Sequence, residues 1–138
     1  MTIRYFCDGV NFQPDNKRKI SNWLKFIAAQ EGKKIDSLNC VFVSDEIMIE
    51  INRKFLNHNC YTDVVTFDNS VCESCVSGEM YISIDTVKIN AEDYNVNFFN
   101  ELLRVISHGL LHLCGHKDKT PEEQRKMRET ENKYLEKY

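Results

Sequence analysis

The sequence predicts an α+β fold, a mixed four-stranded sheet covered by about five helices in the order βαβαββααα. Three observations lead there. At 138 residues the chain suits one domain, long enough to bury roughly two-thirds of its extended surface without disulfides. Short strand-like apolar runs alternate with helical periodicity in the first half, which calls for sheet and helix packed in layers. The second half then carries three helical patterns in succession. No internal repeat, low-complexity tract or linker interrupts residues 1–138, so they are expected to form a single domain.

Residues 2–6 read as the first strand. Asp15 or Asn16 can cap the next helix, whose apolar positions Ile20, Trp23, Leu24, Ile27 and Ala28 follow the i, i+3, i+4, i+7, i+8 rule. Gly32 ends it. Residues 40–43 are a continuous apolar run suited to a buried strand, after which Ser44 caps a helix with Ile47, Met48, Ile51 and Phe55 on one side. Residues 64–67 and 79–84 are two further strands, expected to pair through the long polar stretch 68–78. Asp85 is expected to cap a short helix through Val87 and Ala91, and Asn97 a longer one with the stripe Phe98, Leu102, Val105, Ile106 and Leu110. Thr120, Pro121 at the first helical position and Glu123 at the third mark the start of the last helix. Met127, Tyr134, Leu135 and Tyr138 give that helix its apolar side.

A formal charge of −3 argues against broad nonspecific binding to nucleic acid, which draws on a basic surface. Basic runs such as Lys17-Arg18-Lys19 and Arg125-Lys126 with Arg128 are read as local patches or solvated helix surface. There is no apolar N-terminal run and no stretch of about 18 apolar residues, so neither a secretory signal nor a membrane span is expected, and the expected location is the cytoplasm. Among the six cysteines, Cys7, Cys40 and Cys114 lie in apolar surroundings and read as reduced core residues. Cys72 and Cys75 form a Cys-x-x-Cys pair in a polar connection with no second pair at zinc-finger spacing, and read as a chance loop pair.

The chemistry concentrates in residues 107–118, which hold three of the four histidines. His108 and His112, four apart on a helix, project from one face and can share a metal ion. A straight helix would carry His116 roughly 12 Å along the axis from His108 at about 1.5 Å per residue, so a third ligand requires a bend. Gly115 supplies it, because glycine readily takes the left-handed conformation that ends helices. His116 and Asp118 are then the candidates. Asp118 is favoured, having the longer return path and an ordinary oxygen ligand for zinc, and His116 is expected beside the site. Two histidines and one carboxylate leave a coordination position for water, the arrangement of a catalytic zinc.

The spacing His108, His112, Gly115, Asp118 also matches that of metzincin proteases, but Gly109 stands where such an enzyme keeps its general-base glutamate. Closer is the resemblance to the YbeY family, metal-dependent endoribonucleases of bacterial rRNA maturation, whose signature His-Gly-x-Leu-His-Leu-x-Gly-Tyr-Asp-His is similar to residues 108–118. Asn52-Arg53-Lys54-Phe55, Tyr61-Thr62-Asp63-Val64-Val65-Thr66-Phe67 and Gly78-Glu79-Met80-Tyr81-Ile82-Ser83 resemble further family segments in order and spacing. The chain departs from the family twice: the third metal-binding histidine falls on Asp118, which shifts preference toward harder ions such as manganese, and the usual arginine after the upstream aromatic falls on Leu56. Arg53, Lys54, His58 or Arg104 would then have to supply the cation facing the phosphate.

The resemblance implies one divalent metal ion, expected to be zinc, held by His108, His112 and Asp118. It implies an RNA substrate, a precursor of ribosomal RNA, with the small ribosomal subunit or its proteins as partner and with no membrane or DNA. His116 is the candidate proton shuttle, with an ordinary pKa of about 6.5. Thr62 and Asp63 are candidates for orienting a ligand, and Arg53 for contacting phosphate. Two other functions stay open: a metal-stabilised ribosome-assembly factor without cleavage, and a protease variant lacking its glutamate.

Overall fold

A computed structural model describes residues 2–56 and 62–138. Two residues named above, His58 and Tyr61, lie outside the described residues. The elements are β1 (Thr2–Asp8), α1 (Lys17–Gln30), β2 (Lys34–Val43), α2 (Asp45–Ile51), β3 (Val64–Asp68), β4 (Cys75–Ser83), α3 (Ile84–Asp93), α4 (Phe98–Leu113) and α5 (Pro121–Leu135). A π-helical turn, Asn52–Leu56, continues α2. The sheet order is β1-β2-β4-β3, with β1, β2 and β4 parallel and β3 antiparallel to β4 at the edge. This is the mixed α+β architecture and element order expected.

Alternation places the core. Along β4, Val76, Gly78, Met80 and Ile82 are buried, and they face α4. In β2 the register shifts between Ile35 and Ser37, so Asp36 is an extra residue. That bulge lets Ile35 and Leu38 share the buried face despite their odd spacing. α1 contributes Ile20, Trp23, Leu24, Ile27 and Ala28, the stripe read from the sequence. α4 is central: it packs against α1, α3, α5, β3 and β4, and Leu102, Leu103, Val105, Ile106, Leu110, Leu111 and Leu113 are all buried. Each such side chain stabilises the fold by about 1.5–3 kcal/mol. A smaller cluster, Val43, Met48, Ile51 and Val65, lies beneath α2.

Several local expectations are corrected. Asn16 takes a left-handed conformation (φ 60°) and no side chain caps α1. The cap of α3 is Ser83, whose Oγ accepts from the Thr86 amide at 3.2 Å, while Asp85 lies inside the first turn and accepts from the Asp45 amide at 2.9 Å. Asp85 is thus drawn to a neighbouring helix start that the linear sequence does not reveal. Phe55 is exposed because the π-helical turn swings it off the α2 stripe. Cys72 and Cys75 are joined in a disulfide, with Cα atoms 5.3 Å apart, in the β3–β4 connection. Cys7, Cys40 and Cys114 are free, and burial pushes the Cys40 thiol up to about 12. Among the described residues no helix is long and apolar enough to cross a membrane.

Candidate metal centre

His108 and His112 occupy the last two turns of α4, their ring centroids 4.6 Å apart. The helix ends in a Schellman motif. The Gly115 amide donates to the His112 carbonyl and the His116 amide to the Leu111 carbonyl, each at 3.0 Å, and Gly115 sits at φ +106°. The chain therefore reverses beside the imidazoles. Asp118 Oδ2 lies 3.1 Å from His108 Nε2 and 3.2 Å from His112 Nε2, and the two Nε2 atoms are 3.0 Å apart. Among the described residues these three form the group of potential ligands whose donor atoms all lie within 4.8 Å of one another.

The opposite edges of both rings say what this convergence requires. His112 Nδ1 is 3.0 Å from the His116 carbonyl, which can only accept, so that nitrogen carries the proton and Nε2 presents a lone pair. His108 Nδ1 is 2.5 Å from Glu131 Oε2, and a carboxylate likewise favours the proton on Nδ1. With neutral rings, two lone pairs and a carboxylate oxygen meet with no hydrogen between them. Such a trio repels itself unless a cation or an added proton sits at its centre, so the donor set fits a metal ion.

The surrounding charges come from four elements. Burial alone would lower the His108 pKa, but the hydrogen bond and charge of Glu131, with the charges of Asp63 and Asp118, outweigh it and leave it raised. Burial raises the Asp63 carboxyl, and nearby His108 only partly offsets this. Glu131, almost fully buried on α5, also holds Arg104, whose guanidinium donates to Glu131 Oε1 at 2.9 Å and to Asn132 Oδ1 at 2.7 Å. Asp63, Arg104, His108, Asp118 and Glu131 line one cleft of about 180 Å³, shared with α3 and α5. The centre thus opens onto solvent at its polar side.

His108, His112 and Asp118 come together, with Asp63 in the same cleft. His116 does not join them. Its Nε2 is 2.6 Å from Glu31 Oε1, at the C-terminal cap of α1, and only its carbonyl serves the cluster, through His112. Thr62 is half-buried just before Asp63, and Arg53 is exposed on the π-helical turn, outside the cleft lining. Glu31 and Glu131 escaped the sequence reading. Glu31 accepts from both His116 and the Tyr134 hydroxyl (2.5 Å); burial opposes its charge, yet these bonds hold its carboxyl below the usual range. The available signal for Glu131 was a glutamate on the apolar side of the last helix, one turn from Met127 and next to Tyr134. Gly109 faces the sheet: a Cβ there would lie 2.6 Å from Met80 Sδ and 3.2 Å from Val64 Cγ2, leaving no room for a protease-type glutamate.

Fold and cluster together define an α+β protein with a solvent-facing three-donor group that can hold one metal ion. The model of the family described as Endoribonuclease YbeY matches residues 7–138, and the chain belongs to that family. It is similar to proteins named Endoribonuclease YbeY from Bacteroides thetaiotaomicron (43% identical over 98% of both chains) and Cytophaga hutchinsonii (44% identical over 97% of this chain and 94% of the relative). It is also similar to a solution structure from Thermotoga maritima, with a TM-score of 0.67 and 30% identity over 98% of this chain and 87% of that one.

Proposed function

We propose that this protein is a metal-dependent endoribonuclease that cleaves RNA phosphodiester bonds during maturation of ribosomal RNA, in the cytoplasm and at the small ribosomal subunit. Membership of the family supports the RNA substrate. The observation that carries the chemistry is the meeting of two imidazole lone pairs and the Asp118 carboxylate at 3.0–3.2 Å. We assign one divalent ion to His108, His112 and Asp118. Two nitrogens and one oxygen are an ordinary zinc set, and the carboxylate widens it toward manganese. When bound, such an ion polarises a phosphate oxygen and acidifies bound water.

The chain's own residues supply the remaining functions. Glu131 and the His116 carbonyl hold the rings with Nε2 toward the ligand site. Arg104, fixed by Glu131 and Asn132 at the cleft, takes the place of the family arginine that is Leu56 here. Asp63, which lines the same cleft and whose carboxyl burial raises, accepts and returns a proton beside the reacting phosphate. Thr62 positions Asp63 from the preceding residue. Arg53, outside the cleft, contacts the RNA backbone away from the reacting group. His116 is assigned to positioning, since Glu31 engages its ring.

The test is metal-loaded protein offered structured RNA and, separately, casein, beside a His112→Ala control. RNA cleavage that disappears in the control supports the proposal. An inert protein that still binds small ribosomal subunits points to an assembly factor, and casein cleavage points to a protease, against the space available at Gly109. RNA cleavage equal in both samples identifies a contaminating nuclease and removes the proposal.

A further inference from the structure

The cleft beside the metal centre extends past the chemistry. Beyond Arg104 it is lined by Asn90 and Tyr94 from the end of α3 and by Gln124 and Arg128 from α5, none of which the proposed reaction uses. Tyr94 is 58% exposed, and the Arg128 guanidinium lies 5.9 Å from its centroid. The neighbouring Asn90 and Gln124 each offer an amide with both donors and an acceptor. An exposed ring, a guanidinium above it and two amides beside it are the chemical components that bind an unstacked nucleobase: a platform, a cation and hydrogen-bonding groups for the base edge.

We propose that the Tyr94–Arg128 end of the cleft is a nucleotide subsite, which seats the base of an unpaired ribonucleotide adjoining the phosphodiester that is cut. The proposal rests on the endoribonuclease reading above. Tyr94 stacks the base, Asn90 and Gln124 read its edge, and Arg128 with Arg104 takes the flanking phosphates. Size limits the occupant: at about 180 Å³ the cleft is smaller than the roughly 300–1,000 Å³ of ordinary small-molecule pockets, so it seats no more than one base, with the ribose and phosphates at its rim. Charge agrees as well. Of the four carboxyls lining the cleft, Asp118 belongs to the proposed metal set, Glu131 is engaged by His108 and Arg104, and burial disfavours the ionised forms of Asp63 and Glu101, so Arg128 is not cancelled by them. The subsite explains how a chain of net charge −3 engages RNA locally, through one splayed nucleotide instead of a broad basic face.

The experiment compares wild type, Tyr94→Ala, Tyr94→Phe and Arg128→Ala, all metal-loaded, for binding of a short unpaired oligoribonucleotide and its duplex by fluorescence anisotropy, with cleavage followed separately. Because Tyr94 is exposed, its variants keep the fold, and circular dichroism verifies this. Expected are a Kd for the unpaired strand raised about fivefold to a hundredfold in Tyr94→Ala, recovery in Tyr94→Phe, and a cleavage loss that falls on KM more than on kcat. Cleavage that depends on His112 combined with unchanged binding and KM in Tyr94→Ala and Arg128→Ala would overturn the subsite and leave the nuclease reading intact. If wild type does not cleave, the nuclease reading fails, and the binding arm still decides the subsite by the same criterion. Equal affinity for strand and duplex also overturns it.

Discussion

Glu131 serves both sides of the site, setting the tautomer of His108 and anchoring Arg104. Replacing it with glutamine keeps the shape and removes the charge. Glu131→Gln is expected to weaken metal binding by about 10–100-fold, read by competition with a chromogenic chelator; an unchanged affinity would show that His108 needs no partner. The same pair predicts a pH dependence in the metal-free protein. The folded His108 pKa is raised, chiefly through Glu131 acting against burial. Its stabilisation is therefore fully present below the unfolded value of about 6.5 and lost as pH rises through the folded value. Urea titrations should find the stability gap between wild type and Glu131→Gln larger at pH 5.5 than at pH 9; a gap that widens toward alkaline pH contradicts this sign.

The elements around the site end and begin with local signals. α4 closes on Gly115 at φ +106°, which an alanine adopts only under strain, so Gly115→Ala is expected to cost about 1–3 kcal/mol and to displace Asp118 from the cluster. α5 opens with the reciprocal Thr120–Glu123 capping box, and Thr120→Ala is expected to cost about 0.5–2 kcal/mol without loss of metal, because the cap lies beyond the ligand loop. Denaturation midpoints together with metal content separate the two; Gly115→Ala retaining full metal would mean the corner does not aim Asp118. Such signals were legible because caps, glycine corners and helical periodicity act within a few residues. The strands extend further than their apolar runs: β2 begins at Lys34 and β4 at Cys75, where polar residues alternate outward and mask the strand pattern. The cap of α3 was misplaced because Asp85 is committed to the amide of Asp45, forty residues away.

At the scale of the whole molecule, the site is assembled from parts that no local pattern links. α1 brings Glu31 to His116, the approach to β3 brings Asp63, and α5 brings Glu131 and Arg128 to the face of α4. The clustering of His108, His112 and Asp118 was readable, since they fall with Gly115 within one turn-and-return. The carboxylates behind the rings depend on tertiary packing and had no spacing to betray them. Overall charge gives a further expectation: with two cleft arginines as the main phosphate contacts, log K for unpaired RNA should fall with log salt at a slope of about −1.4, from roughly −0.7 per neutralised phosphate. Anisotropy titrations over a salt series measure it, and a slope steeper than about −4 would signal an extended basic interface instead.

We assign one cation to the Nε2 atoms of His108 and His112 and the Asp118 carboxylate. Metal content per chain, determined by plasma mass spectrometry on untreated protein beside His108→Ala and Asp118→Ala, tests it most directly. One divalent ion per wild-type chain and its loss in both variants are expected; full occupancy in either would place the metal elsewhere.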